Sequence, residues 1–135
     1  MNDQQIEKEI QAKGLTAPRV TPQDIEENIA SEHYFTAMDG AVGAMSEAQE
    51  YNGDILIRLK GDESLQSTYQ ALSLLTFCVL VLKNGFTVTG ESACASPENF
   101  DAVLGRKIAR QNAINKVWPL MGYALKQRLH EESGA

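Results

Sequence analysis

Two runs of residues between positions 73 and 94, separated by Asn84-Gly85, carry the strongest local pattern in the chain. Asn-Gly favours a two-residue type I′ turn, because both central residues of that turn need positive φ. Such a loop pairs Lys83 with Phe86, Val81 with Val88, Val79 with Gly90 and Phe77 with Ser92. Phe77, Val79, Val81, Phe86 and Val88 then share one face, the expected core face. Cys78, Leu80 and Leu82 share the other with Thr87, Thr89 and Glu91. A strand apolar on both sides is expected to be covered on both sides. Either the preceding helix or a second subunit supplies the cover, and the expectation is a homo-oligomer.

Upstream, Thr21-Pro22-Gln23-Asp24 reads as a helix start, with a capping Thr, Pro at the first helical position and Asp24 reaching back. Ile25 and Ile29 recur at helical spacing, with Tyr34 and Phe35 beyond. This predicts a helix over about 21–38, stopped by the turn pair Asp39-Gly40. Residues 41–50 are small and weakly helical. Tyr51 to Asp54 reads as a turn, and alternation at Ile55, Ile57 and Leu59 as a short strand ended by Gly61-Asp62. Residues 62–71 form a connection without a clear pattern.

Downstream, Ser96-Pro97-Glu98-Asn99 opens a second helical region. Phe100, Val103, Leu104, Ile108, Ile114 and Trp118 make its apolar stripe. Lys107 and Gln111 project within that stripe, and Arg106 and Arg110 share one edge of it, one turn apart. Pro119 is expected to kink the helix, giving a pair over about 97–130. The fold class is therefore α+β. An antiparallel sheet is built around the hairpin at 73–94, with an N-terminal helix and a kinked C-terminal helix pair. Residues 1–20 read as a flexible arm, 21–130 as a single domain and 131–135 as a loose tail.

The chain has 135 residues, enough for one domain, and its apolar fraction of 43% is that of a globular protein. Its net charge of −6 argues against nonspecific binding to nucleic acid duplexes or to an anionic membrane. Yet six of its twelve Lys and Arg (Arg106, Lys107, Arg110, Lys116, Lys126 and Arg128) lie between Ala102 and His130, where there is no Asp or Glu. Acids gather earlier, at Glu7, Glu9, Asp24, Glu26, Glu27 and Glu32. Either the two ends pair, within the fold or between subunits, or the basic segment holds a local anion site. The longest apolar run, Leu72 to Leu82, is far short of the ~20 residues a membrane helix needs. With no signal-peptide pattern and two cysteines read as free thiols, the expected location is the cytoplasm.

No catalytic set is visible, and no cofactor fingerprint. His33 and His130 share no metal-like spacing with Cys78 or Cys94. A Cys94–His33 dyad is conceivable, but Cys94 reads as a small buried hydrophobe. The expectation is a binding protein without metal or cofactor. The one constellation with binding chemistry runs from Ser92 through Ser96 and Asn99 into the C-terminal helix. Backbone N–H groups there can hold a phosphate, although Glu98 and Asp101 already occupy the positive end. Arg106 and Arg110 offer two-pronged phosphate contacts, and Phe86 a surface for stacking a base. The alternative is an ordinary strand-to-helix connection with solvated arginines.

Several elements carry a resemblance. They are Leu75 to Leu80, Lys83-Asn84-Gly85-Phe86, Glu91-Ser92-Ala93-Cys94, Ser96 to Asp101, Gly105 to Ile108, and Asn115 to Leu120 with Gly122-Tyr123. Together with Ser31 to Thr36 and Asp39-Gly40 they resemble a widespread family of small phage and prophage proteins, most of unknown function. The Asn-Gly-Phe, Ser-Ala-Cys, Pro-x-Asn-Phe-Asp and Lys-Val-Trp elements are also similar to the Thoeris anti-defence proteins called sponges. That resemblance implies sequestration, without cleavage, of cyclic nucleotide immune signals such as cyclic ADP-ribose isomers or cyclic oligonucleotides. It also implies dimers or hexamers with ligand at subunit interfaces. On the best-matched positions it assigns Phe86 to base stacking, Ser96 and Asn99 to polar contacts, and Arg106 and Arg110 to phosphate, with Asn112 as a further candidate. The competing expectation is a regulatory protein that binds a host protein through its basic C-terminal helices.

Overall fold

A computed structural model describes residues 2–50, 61 and 64–134. The order of elements is α1 (Asp3–Ala12), α2 (Pro22–Glu27), β1 (Ile29–Thr36), α3 (Ala37–Glu50), α4 (Leu65–Ser73), β2 (Leu75–Leu82), β3 (Thr87–Ala93) and α5 (Ala102–Glu132). A short 3₁₀ turn, Pro97–Asn99, precedes α5. The three strands form one antiparallel sheet in the order β1-β2-β3, and α5 lies across one face of it. The fold is α+β, as the sequence predicts. The expected turn at 51–54 and strand at Ile55 to Leu59 lie outside the described residues.

The hairpin forms, but in a register one residue away from the predicted one. Leu80 pairs with Val88, Cys78 with Gly90 and Thr76 with Ser92. The loop holds three residues, Lys83, Asn84 and Gly85. Leu82 N–H donates to the Phe86 carbonyl (2.8 Å), and Gly85 N–H donates to the Leu82 carbonyl (2.9 Å). Gly85 takes φ +89°, the left-handed residue that closes a three-residue loop. A slip of one residue moves every side chain to the opposite face. The buried face therefore carries Cys78, Leu80, Leu82 and Val88, while Phe77, Val79 and Val81 are only half-buried on the other.

The helix expected over 21–38 starts as predicted and ends early. Thr21 and Asp24 cap each other's backbone N–H groups at 3.1 and 2.9 Å. After Glu27 the chain turns at Asn28 and runs extended as β1, pairing Phe35 with Phe77 and Tyr34 with Cys78. The Ile25–Ile29 spacing imitates a helix, but the free edge of β2 captures the β-branched and aromatic residues that follow. Asp39-Gly40, expected as a stop, lies in the first turn of α3. Thr36 and Asp39 repeat the reciprocal cap, at 3.1 and 2.9 Å.

The C-terminal pair is a single 31-residue helix with Pro119 inside it. Pro119 sits on the exposed side, and the helix runs through it. Ser96 makes no side-chain cap; Asp101 caps α5 instead, accepting from Leu104 N–H at 3.0 Å.

The buried face of α5 matches the predicted stripe only at Ile114 and, partly buried, Trp118. Val103, Leu104 and Ile108 are 53, 53 and 43% exposed. The residues against the sheet are Gly105, Ala109, Ala113, Ile114 and Val117. These small side chains let the helix backbone approach β3 at Gly90, where an added Cβ would lie 2.1 Å from the Ala109 carbonyl oxygen and 2.3 Å from the Ala113 nitrogen.

Residues 1–20, expected as an arm, contain α1. The two-pronged Arg19–Glu7 pair ties it back, and Asp3 accepts from Trp118 Nε1 at 3.2 Å. Ile6 and Ile10 of α1, with Val20, Pro22 and Trp118, line an apolar cavity of about 270 Å³.

Two outcomes follow from this packing. Gly90→Ala should lower the unfolding free energy by about 3 kcal/mol or more, since backbone cannot yield as a side chain does. Gly43→Ala, in open space within α3, should raise it by roughly 0.5–1 kcal/mol; urea unfolding measures both. The Arg19 partner holds the Glu7 carboxyl below its ordinary value. Its contribution is therefore complete above about pH 4.5 and is lost as pH falls through the lowered value. Emission from Trp118, the chain's one tryptophan, should shift to the red as α1 releases in acid. In Arg19→Ala it should already be shifted at pH 7.

Candidate arginine site along the first strand

Arg110 is where the acidic and basic halves of the chain meet. Its Nη1 and Nη2 donate to the two oxygens of Glu26 at 3.0 and 2.6 Å, and its Nε donates to Glu32 Oε2 at 2.9 Å. Glu26 lies in the last turn of α2. Glu32 lies on β1, opposite Leu80, and so points to the face that α5 covers. The three charges tie α2, β1 and α5 together. Both carboxylates raise the Arg110 pKa further above its ordinary value, with the Glu26 hydrogen bonds the larger cause.

The triad continues inward. Tyr34 donates to Glu32 Oε1 at 3.1 Å and sits beside the fully buried Cys78. Burial, with Cys78 and Glu32 adding to it, pushes the Tyr34 phenol up to about 12. Burial likewise raises the Cys78 thiol.

One turn before Arg110, Arg106 is exposed and has no carboxylate partner among the described residues. It borders a cavity of about 90 Å³ walled by Phe35, Phe100, Thr36 and Asp39, with Thr76 also lining it. Phe35 stacks on Phe77 at 5.6 Å between ring centres, which fixes its ring. Phe35 and Phe100 were not read from the sequence as site residues. The signal available was their position: one closes β1, and the other stands two residues before α5.

The remaining predicted residues are distributed more widely. Ser96 precedes the 3₁₀ turn before α5 and Asn99 ends it, at the Arg106 end of the sheet; the Ser96 carbonyl accepts from Asn99 N–H at 3.0 Å and from the Cys94 thiol at 3.1 Å. Asn112 lies on the other side of α5, donating to the Glu91 carbonyl of β3 at 2.8 Å. Phe86 is 54% exposed at the hairpin tip. Nine residues of mostly extended chain separate it from Ser96, on the order of 30 Å at about 3.3 Å per residue. Phe86 and the Arg106 cavity therefore occupy opposite ends of one protomer. The Cys94–His33 dyad does not form. The two residues lie two strands apart and about five positions out of register, and His33 Nε2 instead contacts Ser31 Oγ at 3.0 Å.

A larger groove of about 600 Å³ lies between α2, the hairpin tip and the end of α5. Two of its cations are engaged, Arg19 by Glu7 and Arg128 by Glu132. No group of three metal-ligating side chains occurs among the described residues. No helix among them is long and apolar enough to cross a membrane.

Residues 20–129 match the model of the phage protein (N4 Gp49/phage Sf6 gene 66) family. The chain belongs to this family. The match spans β1 to β3 and nearly all of α5, and so includes both arginines, whereas α1 lies outside it. No curated protein and no solved structure matches the chain.

The raised Tyr34 pKa has a direct consequence for this phage-family fold. The folded state favours the neutral phenol, so the Tyr34 contribution is complete below about pH 10 and is lost as pH rises toward about 12. Between those values Tyr34→Phe should lose less stability than the parent, read as urea midpoints at each pH.

Proposed function

We propose that this phage-family protein binds and sequesters cyclic nucleotide immune signals, either cyclic ADP-ribose isomers or cyclic oligonucleotides, without cleaving them. The observation that carries the reading is Arg106, exposed on α5 one turn before Arg110, beside a cavity lined in part by Phe35 and Phe100. A nucleotide presents the complementary groups: phosphate oxygens for guanidinium forks, and a base whose face stacks on Phe. The resemblance described above supplies the class of ligand.

Geometry adds a requirement. A cavity of about 90 Å³ is well below the roughly 300–1,000 Å³ of ligand pockets. Stoichiometric capture requires nanomolar affinity, about −12 kcal/mol, beyond the reach of one open arginine. A second copy must close over the site, and Phe86, remote within one chain, reaches it from that copy. Phe100, beside Arg106, supplies a stacking surface from the same chain.

A second reading, docking onto a host protein, draws on the exposed Leu120 and Tyr123 beside Lys126 and Arg128 on α5.

The test incubates purified protein with a panel of cyclic nucleotides, removes the unbound fraction, heat-denatures the protein and identifies released ligand by mass spectrometry. Intact ligand should be recovered. Arg106→Ala should bind about ten- to a hundredfold more weakly, the worth of a charge-assisted hydrogen bond. Failure to bind any member of the panel rejects the reading. Capture of one host protein, abolished by Arg128→Glu, would favour the second.

A further inference from the structure

Resting on the assignment of Arg110 to phosphate, we propose that Glu26 and Glu32 are the specificity-determining residues of this site. Glu26 is a displaceable stand-in for a phosphate, and Glu32 is a fixed charge that selects singly charged diester phosphates over doubly charged terminal ones.

The two carboxylates are held differently. Glu26 presents both oxygens side-on to Nη1 and Nη2, the arrangement in which two oxygens of a phosphate meet a guanidinium. It is 51% exposed, and among the described residues Arg110 is its one ion-pair partner. It also sits in the last turn of the six-residue α2, where a negative charge opposes the helix dipole. Arg110 therefore holds Glu26 against its local preference, and release needs only a side-chain rotation into water. An exposed pair of this kind contributes little, so an incoming phosphate exchanges for it at small cost.

Glu32 is held from two sides, by Arg110 Nε at 2.9 Å and by the Tyr34 hydroxyl at 3.1 Å, and it stands on a paired strand. It stays when Glu26 leaves. The vacated fork then carries one positive charge with one negative neighbour. A diester or bridging phosphate brings a single negative charge. A terminal phosphate brings nearly two at neutral pH and meets stronger repulsion from Glu32. The charge of Glu32 therefore costs a terminal phosphate more than a diester, and it shifts the preference of the site toward phosphates that have no free end, as in a closed ring, and away from those of an opened or linear nucleotide.

The test uses small anions, so that it does not depend on which nucleotide the protein holds. The parent, Glu26→Gln and Glu32→Gln are titrated at pH 8 with dimethyl phosphate, a monoanion, and with inorganic phosphate, mainly a dianion. The Arg110 Nε–H resonance is followed by NMR, with far-UV circular dichroism as the fold control. Glu26→Gln should bind dimethyl phosphate at least about fourfold more tightly, the factor for one charge ~5 Å away in water-like surroundings. Glu32→Gln should shift the preference toward inorganic phosphate by a similar factor. Unchanged or weaker binding in Glu26→Gln overturns the displacement, and an unchanged preference in Glu32→Gln overturns the selection. A parent that binds these anions as expected but retains no cyclic nucleotide rejects the sequestration reading and leaves this inference standing. Should either single variant lose its fold, the same titrations on Glu26→Asp and Glu32→Asp decide, because the shortened carboxylates keep the charge and move the forks: displacement predicts tighter dimethyl phosphate binding in Glu26→Asp, and selection predicts a weakened preference in Glu32→Asp.

Discussion

The closeness of α5 to Gly90 is the constraint on which the other arrangements depend. Helix backbone meets strand backbone with no side chain between them, which only glycine on the strand and alanine on the helix permit. That contact sets the height and rotation of a 31-residue helix over a three-stranded sheet. With Ala109 and Ala113 facing the sheet, Arg106 and Arg110 fall along β1, and Asn112 falls along β3. A bulkier residue at the contact would lift the helix and separate Arg110 from Glu32.

The same contact explains which parts of the sequence were legible. Hydrophobicity patterns weight large side chains, so Val103, Leu104 and Ile108 marked the expected inner face of α5. The actual inner face is a ladder of small residues, Gly105, Ala109 and Ala113, spaced four apart. That spacing was visible in the sequence, but apolar strength was a misleading guide to a surface selected for thinness. The hairpin shows a related ambiguity. Asn84-Gly85 announced the turn correctly, yet the dipeptide serves both two- and three-residue loops. The choice between them decided which half of β2 was core.

Caps were read unevenly: Ser96 was expected to cap a helix and does not. Thr21 with Asp24 started α2 as the pattern required. Thr36 with Asp39 obeyed the same rule and went unread, because Gly40 suggested an ending. The Ile29 to Thr36 stretch could not be recognised as a strand from local pattern alone, since its partners on β2 lie forty or more residues downstream. Of the candidate site, the one-turn spacing of Arg106 and Arg110 was legible. The acidic partners of Arg110 were not, because Glu26 and Glu32 reach it only once β1 has paired with β2. The charge asymmetry of the chain is in part resolved inside the fold, at Arg110.

The Asn112–Glu91 hydrogen bond has a bearing on how sheets of neighbouring molecules can join. Leu82 bonds Phe86 and Leu74 bonds Cys94 across the hairpin, so alternation leaves the outward carbonyls of β3 at Thr87, Thr89 and Glu91. The Asn112 amide occupies the last of these. An incoming strand finds a run of open positions at the hairpin end and a plugged one toward α5. Growth of a continuous ribbon along that margin is interrupted by a single side chain, which guards the fold against open-ended stacking.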